Sequence, residues 1–384
     1  MQRKESILLD KEKIIELLKP VRDPEIGLSI VELNMVRNVA VSGSGVSLEV
    51  ALTVQGCPLQ KTIESDVRTI LLSNPEIETV DLKLGVMSKE EQTALSEELR
   101  RRREENKPKG ATEIAPGIYR YGKMGIQHII GVVSGKGGVG KSLTTAVIAS
   151  ELAKQGFRVG ILDADITGPS MAKILGVEGR AGANDKMLIP ATTRAGIKMI
   201  SMNLILEKQT QAVVWRGPLV TRAIVQMYGQ TEWGDLHFLL LDLPPGTSDA
   251  QLTVFQSVPL DGILMVTTPQ SLAHMIVEKA LDMAKVTKVP VIGLVENMSY
   301  LKCPHCGERI ELYPRDAGAE TEMLRSLEKL GELPFDPEIA RLADSGELEK
   351  YSSDEISALV SNVRKKMLSM TPVSVSPIAW KGGE

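Results

Sequence analysis

One stretch limits the fold more than any other. Residues 128–156 read HIIGVVSGKGGVGKSLTTAVIASELAKQG. The opening apolar run is what a parallel strand buried on both faces requires. A glycine-rich loop follows, and then a helix stopped by Gly156. The loop fits the phosphate-binding pattern G-x-x-x-x-G-K-[ST] from Gly135 to Ser142. Glycines 135, 137, 138 and 140 let backbone N–H groups converge on phosphate oxygens, and the helix N-terminus adds partial positive charge. Val139 lies inside the loop. Further buried strands are read in RVGILDAD, HFLLLDLP, GILMVTTP and VPVIGLVENM, with helices between them, including LAHMIVEKALDMAKV. Strands alternating with helices imply crossovers and a mostly parallel sheet. The expected fold class is therefore α/β, a doubly wound, mostly parallel sheet of the phosphate-loop NTPase kind over 113–370, with a flexible tail at 371–384.

Upstream the texture changes. Residues 11–28 read as a helix that Pro20 ends or kinks. Residues 35–54 alternate around SGSG, as a β-hairpin does. A helix from Leu59 to about Leu72 and a strand in ETVDLKL complete a small α+β domain, 1–87. Residues 88–112 are dense in charge and then rich in Lys, Pro and Gly. They read as a short helix and a flexible charged linker.

The loop sets the chemistry. Lys141 is placed to reach the β- and γ-phosphates of ATP, and the Ser142 hydroxyl to ligate Mg²⁺. Asp242, in HFLLLDLPPG, joins the magnesium shell. Asp163 and Asp165 form a second acidic pair at a strand end; Asp163 is assigned to the magnesium shell and Asp165 to the attacking water. An N-cap role is the alternative for either aspartate.

SGKGGVGKS resembles the deviant Walker A motif of the MinD, ParA and nitrogenase iron protein group. In that group the early lysine, here Lys136, reaches across a dimer to the partner's nucleotide. The resemblance thus implies that Lys141 acts in cis and Lys136 in trans, with dimerisation coupled to ATP. WRGPLV, LDLPPGTSDAQLT, VTTPQ and VENMSYLKCPHCG together resemble the Mrp/ApbC-type iron–sulfur cluster carriers, from about residue 127 to 345. VRDPEIGLSIVELNMV and LTVQGCPL resemble the small iron–sulfur-assembly domain often fused ahead of such ATPases. Asn297 resembles the group's adenine-contacting asparagine. Two departures stand out. ELYPRDAGAE replaces the family's glycine-rich stretch after CPxCG, and His274, Met275 and Ile276 stand where the family has an aspartate.

The chain has three cysteines, too few for a disulfide framework. Cys303 and Cys306 in CPHC offer two thiolates to one metal or cluster, and a [4Fe–4S] cluster needs about four ligands. A symmetric dimer doubles the pair, so the family resemblance implies a cluster bridged by two chains. Zinc shared the same way meets the same arithmetic, and a redox pair is a third reading. His305 reads as a bystander. Cys57, just before a helix N-terminus, reads equally as a reactive thiol and as a small buried residue.

The net charge of −4 gives no field for nucleic acid. The apolar runs fall short of the roughly 20 residues a membrane span needs. The N-terminal MQRKESILLDKEK is charged throughout. A cytoplasmic location is expected, with no membrane or nucleic-acid partner. The expected partners are a second copy, apo iron–sulfur proteins and cluster-assembly scaffold proteins. The rival readings are a MinD/ParA-type positioning ATPase and a zinc-stabilised scaffold.

Overall fold

The computed structural model describes residues 9–23, 28–53, 60–105, 111–115, 118–166, 168–184, 187–206, 217–313 and 325–369. The chain divides into two units, Met1–Lys107 and Pro108–Glu384.

In the first unit, α1 (Lys11–Leu18) is capped by Asp10, whose Oδ1 accepts the Lys13 N–H at 2.8 Å. The helix is shorter than the expected 11–28. It stops at Leu18, two residues before Pro20, because a proline inside the helix would clash with the preceding turn. β1 (Val36–Ser42) and β2 (Gly45–Leu52) form the expected antiparallel hairpin around Gly43, whose φ is +59°. After α2 (Gln60–Leu72), β3 (Thr79–Val86) pairs parallel with β2, giving the order β1-β2-β3. The core gathers Ile14, Leu18, Leu48, Val50, Ile63, Val67 and Leu71. The helix expected at the start of 88–112 is longer than the short one read there. α3 (Lys89–Glu105) is one 17-residue helix that belongs to this unit. Leu95 and Leu99, one turn apart, pack on its core, and Gln92 Nε2 donates to the Thr53 carbonyl at 2.8 Å. The 371–384 tail lies outside the described residues.

The second unit opens with a hairpin, β4 (Ala111–Ala115) and β5 (Ile118–Tyr121). The eight-stranded sheet is built from β6 (Ile126–Ser134), β7 (Val159–Asp163), β10 (Ala191–Thr192), β11 (Lys198–Ser201), β12 (Leu236–Asp242), β13 (Gly262–Thr267), β14 (Val291–Glu296) and β17 (Lys329–Glu332). A two-stranded pair, β8 (Gly182–Ala183) and β9 (Leu188–Ile189), sits outside it. The order is β10-β11-β7-β12-β6-β13-β14-β17. All neighbours are parallel except the two-residue edge strand β10.

The buried runs explain this sheet. Ile129 and Leu239 enter one core, Ile130 and Leu240 the other, as successive side chains must on a strand covered on both faces. α4 (Lys141–Lys154) follows β6 and is buried on most of its surface, which its Thr, Ala and Ser residues permit by staying small. α5 (Met171–Ile174), α6 (Met202–Ile205), α7 (Gly217–Gly229), α8 (Asp249–Ser257), α9 (Ser271–Thr287), α10 (Pro337–Asp344) and α11 (Asp354–Ser369) are the further α-helices among the described residues of this unit. From central β6, the chain leaves to β7 by passing over the position that β12 fills. Strand order reverses there, and such a crevice at the strand C-termini is where α/β sheets take ligands.

α5 and α10 end against each other at two glycines. Gly176 has φ +62°, and a Cβ there would stand 2.2 Å from the Gly346 carbonyl oxygen. Backbone cannot move aside as a side-chain tip can. Gly176→Ala is therefore expected to destabilise the second unit by about 3 kcal/mol, summing left-handed strain and overlap. Urea unfolding followed by tryptophan fluorescence checks it, since Trp233 is buried in this unit.

Candidate functional site

The loop between β6 and α4 carries the site. Gly138 and Gly140 hold φ values of +79° and +78°. Gly140 also allows a close approach: a Cβ there would fall 2.0 Å from Asn297 Nδ2. A cavity of about 230 Å³ is lined by Lys136, Gly137, Gly138, Lys141, Ser142 and Asp165, among others. Gly135 and Val139 are buried beneath it.

Asp242, at the end of β12 and fully buried, collects the loop's polar groups. Lys141 Nζ donates to its Oδ1 at 2.6 Å, and Ser142 Oγ to its Oδ2 at 2.5 Å. Thr145 Oγ1 lies 3.2 Å from Oδ1 and 2.9 Å from the Lys141 carbonyl. Ser142 and Thr145, three apart on α4, share one helix face. Burial pushes the Asp242 carboxyl up, and the Lys141 ammonium opposes the rise.

Asp163 stands beside Asp242 in register on β7. Its Oδ2 accepts the Met171 N–H at 3.2 Å and the Ser201 hydroxyl at 3.1 Å; its Oδ1 accepts the Asp165 N–H at 3.3 Å. Both oxygens are thus engaged by protein donors. Burial first, and the Asp242 charge second, push its carboxyl up to about 7. Asp165 is half-buried on the cavity wall, and its Oδ1 accepts the Gly168 N–H at 3.3 Å. Lys136 Nζ donates to Gln270 Oε1 at 2.7 Å.

Asn297 follows β14. Its Nδ2 donates to the Val139 carbonyl at 2.9 Å, locking the loop to the β14 end. Beside it lies an apolar slot of about 180 Å³ lined by Leu143, Val147, Met298, Leu333, Phe335 and Ile339, among others. It shares Gly140 and Leu143 with the phosphate cavity, which suits one ligand with a flat apolar end and an anionic end.

Cys303 and Cys306 sit five and eight residues beyond Met298 of this slot. They cap a hairpin of β15 (Tyr300–Lys302) and β16 (Arg309–Glu311). The Cys303 N–H donates to the Glu308 carbonyl and the Gly307 N–H to the Cys303 carbonyl, each at 2.8 Å. Cys303 is half-buried, and Cys306 and His305 are exposed. The backbone N–H groups of Cys306 and His305 hold the Cys303 thiol below its usual range. Among the described residues, no group of three or more His, Cys, Asp or Glu side chains is placed to hold a metal. The hairpin is strapped to the sheet: Arg309 lies 4.0 Å over the Tyr300 ring and pairs with Glu311 and Glu332, and Lys302 pairs with Glu355.

The structure brings Lys136, Lys141, Ser142, Asp163, Asp165 and Asp242 to one end of the sheet, with Asn297 against the loop. Cys303 and Cys306 form a separate surface feature. Cys57 lies outside the described residues. Thr145, Ser201 and Gln270 were not singled out from sequence. For Thr145 the helical spacing from Ser142 was the available signal; Ser201 and Gln270 reach the site through contacts that no local pattern announces.

A strand, a glycine loop and a helix with paired carboxylates at adjacent strand ends define a P-loop NTPase. Residues 125–368 match the family described as NUBPL iron-transfer P-loop NTPase, and residues 11–82 match the iron-sulfur cluster assembly protein family. The chain belongs to the NUBPL iron-transfer P-loop NTPase family. It is 37% identical over 334 residues to the iron-sulfur cluster carrier protein of Deinococcus radiodurans, spanning 87% of each chain. It is 34% identical over 372 residues to that of Synechocystis sp., spanning 94% of this chain and 98% of the relative. A solved structure of a nucleotide-binding protein from Archaeoglobus fulgidus in complex with ADP is 44% identical. The match covers 60% of this chain and 91% of that one, with a TM-score of 0.53.

The raised Asp163 carboxyl has a consequence for stability. Its folded value of about 7 exceeds the usual aspartate value of about 3.9. Between these pH values the folded chain keeps a proton that the unfolded chain has released. Its contribution is therefore full below about pH 4 and lost as pH rises through 7. Nucleotide-free wild type is expected to lose stability relative to Asp163→Asn from pH 5 to pH 8. Denaturation midpoints of the two proteins across that range check the sign.

Proposed function

We propose that the chain is an ATP-hydrolysing carrier of iron–sulfur clusters. Two copies hold a [4Fe–4S] cluster as cargo and release it to apoproteins, having received it from assembly scaffolds. The observation that carries this reading is the position of the CPHC hairpin. Two accessible sulfurs follow, in one continuous segment, the residue that grips the phosphate loop. Each chain offers two thiols there, and a cluster needs about four ligands. A two-fold axis supplies the rest, because the same patch faces itself.

In this reading the nucleotide's phosphates lie on the loop backbone of Gly135 to Ser142, and its base enters the slot beside Asn297. Lys141 moves from Asp242 to the phosphates, where it offsets charge that develops in the transition state. Lys136 extends to the partner's nucleotide. The Ser142 hydroxyl and the Asp242 carboxylate, with Asp163 behind them, form the hard donor set that suits magnesium. When bound there, the ion neutralises phosphate charge. Because both Asp163 oxygens already accept protein hydrogen bonds, Asp163 orients Ser201 and the Asp165 backbone, and Asp165 positions the attacking water. Nothing in this scheme calls on a membrane or nucleic acid, and the cytoplasm is the compartment it fits. No helix among the described residues is long and apolar enough to cross a membrane.

Lys141→Ala is expected to cut ATP turnover at least 10²-fold, the scale of losing one transition-state contact. Steady-state phosphate release measures it, and normal turnover refutes the loop's role.

Anaerobic reconstitution with iron and sulfide is expected to load close to one [4Fe–4S] cluster per two chains. Cys303→Ala or Cys306→Ala should empty the site while ATP binding survives, and Cys57→Ala should leave the cluster in place. Iron and sulfide analysis with sedimentation reads these outcomes. A cluster retained by the Cys303→Ala/Cys306→Ala double variant, or tight zinc with no iron uptake in wild type, overturns the carrier reading.

A further inference from the structure

Lys136 is held from within its own chain. Its ammonium donates to Gln270 Oε1 at 2.7 Å, and its carbonyl accepts the Ser134 hydroxyl at 3.1 Å. Gln270 occupies the N-cap of α9 with extended backbone (φ −85°, ψ 131°), yet its side chain makes no hydrogen bond to the helix it precedes. An N-cap side chain ordinarily accepts from one of the helix's own free N–H groups. Here the acceptor is committed instead to a lysine 134 residues away in sequence.

We propose that Gln270 is a positioning residue that parks Lys136 in cis and so sets how tightly two copies close on ATP. The proposal rests on the reading of Lys136 as the contact made across subunits. Its physical basis is competition for one donor group. A lysine ammonium on a flexible stem occupies one place at a time. Each Lys136 that reaches a partner's phosphate must first give up Gln270. The acceptor's chemistry sets the strength of that hold. A carboxylate at this position would add a full countercharge and form a tighter pair. An apolar side chain would leave the ammonium to solvent and to the nearest phosphate. The neutral amide lies between the two. It restrains the lysine while the copies are apart and is displaced readily by phosphate oxygens, which carry the stronger charge.

The test is ATP-dependent self-association of the full chain, followed by sedimentation over a concentration series. Gln270→Met keeps the length and removes the acceptor; Gln270→Glu keeps the acceptor and adds charge. Gln270→Met is expected to tighten association roughly tenfold and Gln270→Glu to weaken it roughly tenfold, the scale of one hydrogen bond to a charged group. In a Lys136→Ala background neither substitution should shift the residual association, because the group they act through is gone. A role confined to capping or packing of α9 would move both variants in one direction and in both backgrounds, and that result overturns the proposal. If Lys136→Ala alone leaves association and turnover at wild-type level, the cross-subunit reading fails first. If Lys136→Ala abolishes them while both Gln270 variants match wild type, that reading stands and the parking role fails.

Discussion

Asp242 is the point on which the nucleotide end of the molecule depends. A buried carboxylate is costly unless paired and hydrogen-bonded. This one receives Lys141 and Ser142 and lies within reach of Thr145, all from the first turns of α4. One anion therefore docks the helix that carries the loop onto the centre of the sheet. The same oxygens that satisfy α4 are those the proposed chemistry uses. Structural demand and functional demand fall on one group, and substitution at Asp242 would not separate them. Asp163 is organised differently. Its partners come from β11, from α5 and from its own strand's exit. It ties the second layer of the site together without touching the loop.

Much of this was legible in the sequence because the strands are buried on both faces. HFLLLD and VGILD are unbroken apolar runs that end in an acid, so the position of each carboxylate at a strand terminus follows from where the run stops. The glycines of the loop were equally plain. Other features were hidden for definable reasons. Charge in 88–112 outweighed the Leu95–Leu99 spacing that places α3 on the small unit's core. The three-residue strands flanking CPHC are too short for any periodicity to register. Gln270 appeared in VTTPQ as part of a resemblance, but its contact with Lys136 is made between the ends of neighbouring strands, which only the fold brings together.

The cysteine hairpin shows how a small exposed element is held without a core of its own. Ile310 is exposed, and Tyr300 at the hairpin's base is its buried apolar anchor. Hydrogen bonds from Ser299 to Leu333 and from Phe335 to Tyr300 join it to the wall of the apolar slot. Arg309, packed over Tyr300 and paired with Glu311 and Glu332, joins it to β17. Isolated surface ion pairs contribute little, whereas linked sets with planar guanidinium geometry are more effective. The hairpin is thus oriented by the segments that shape the slot, which gives the two functions a common frame.

The two borders of the large sheet carry a consequence for assembly. An open sheet invites other chains to add strands along its unpaired backbone. On one side, the antiparallel β10 is two residues long, too short to template an incoming strand. On the other, β17 is four residues long, and Lys329 at its start pairs with Glu332 at its end and with Glu296. Neither border offers a flat apolar ribbon. Among the described residues, both borders therefore disfavour lateral growth into continuous cross-strand fibres.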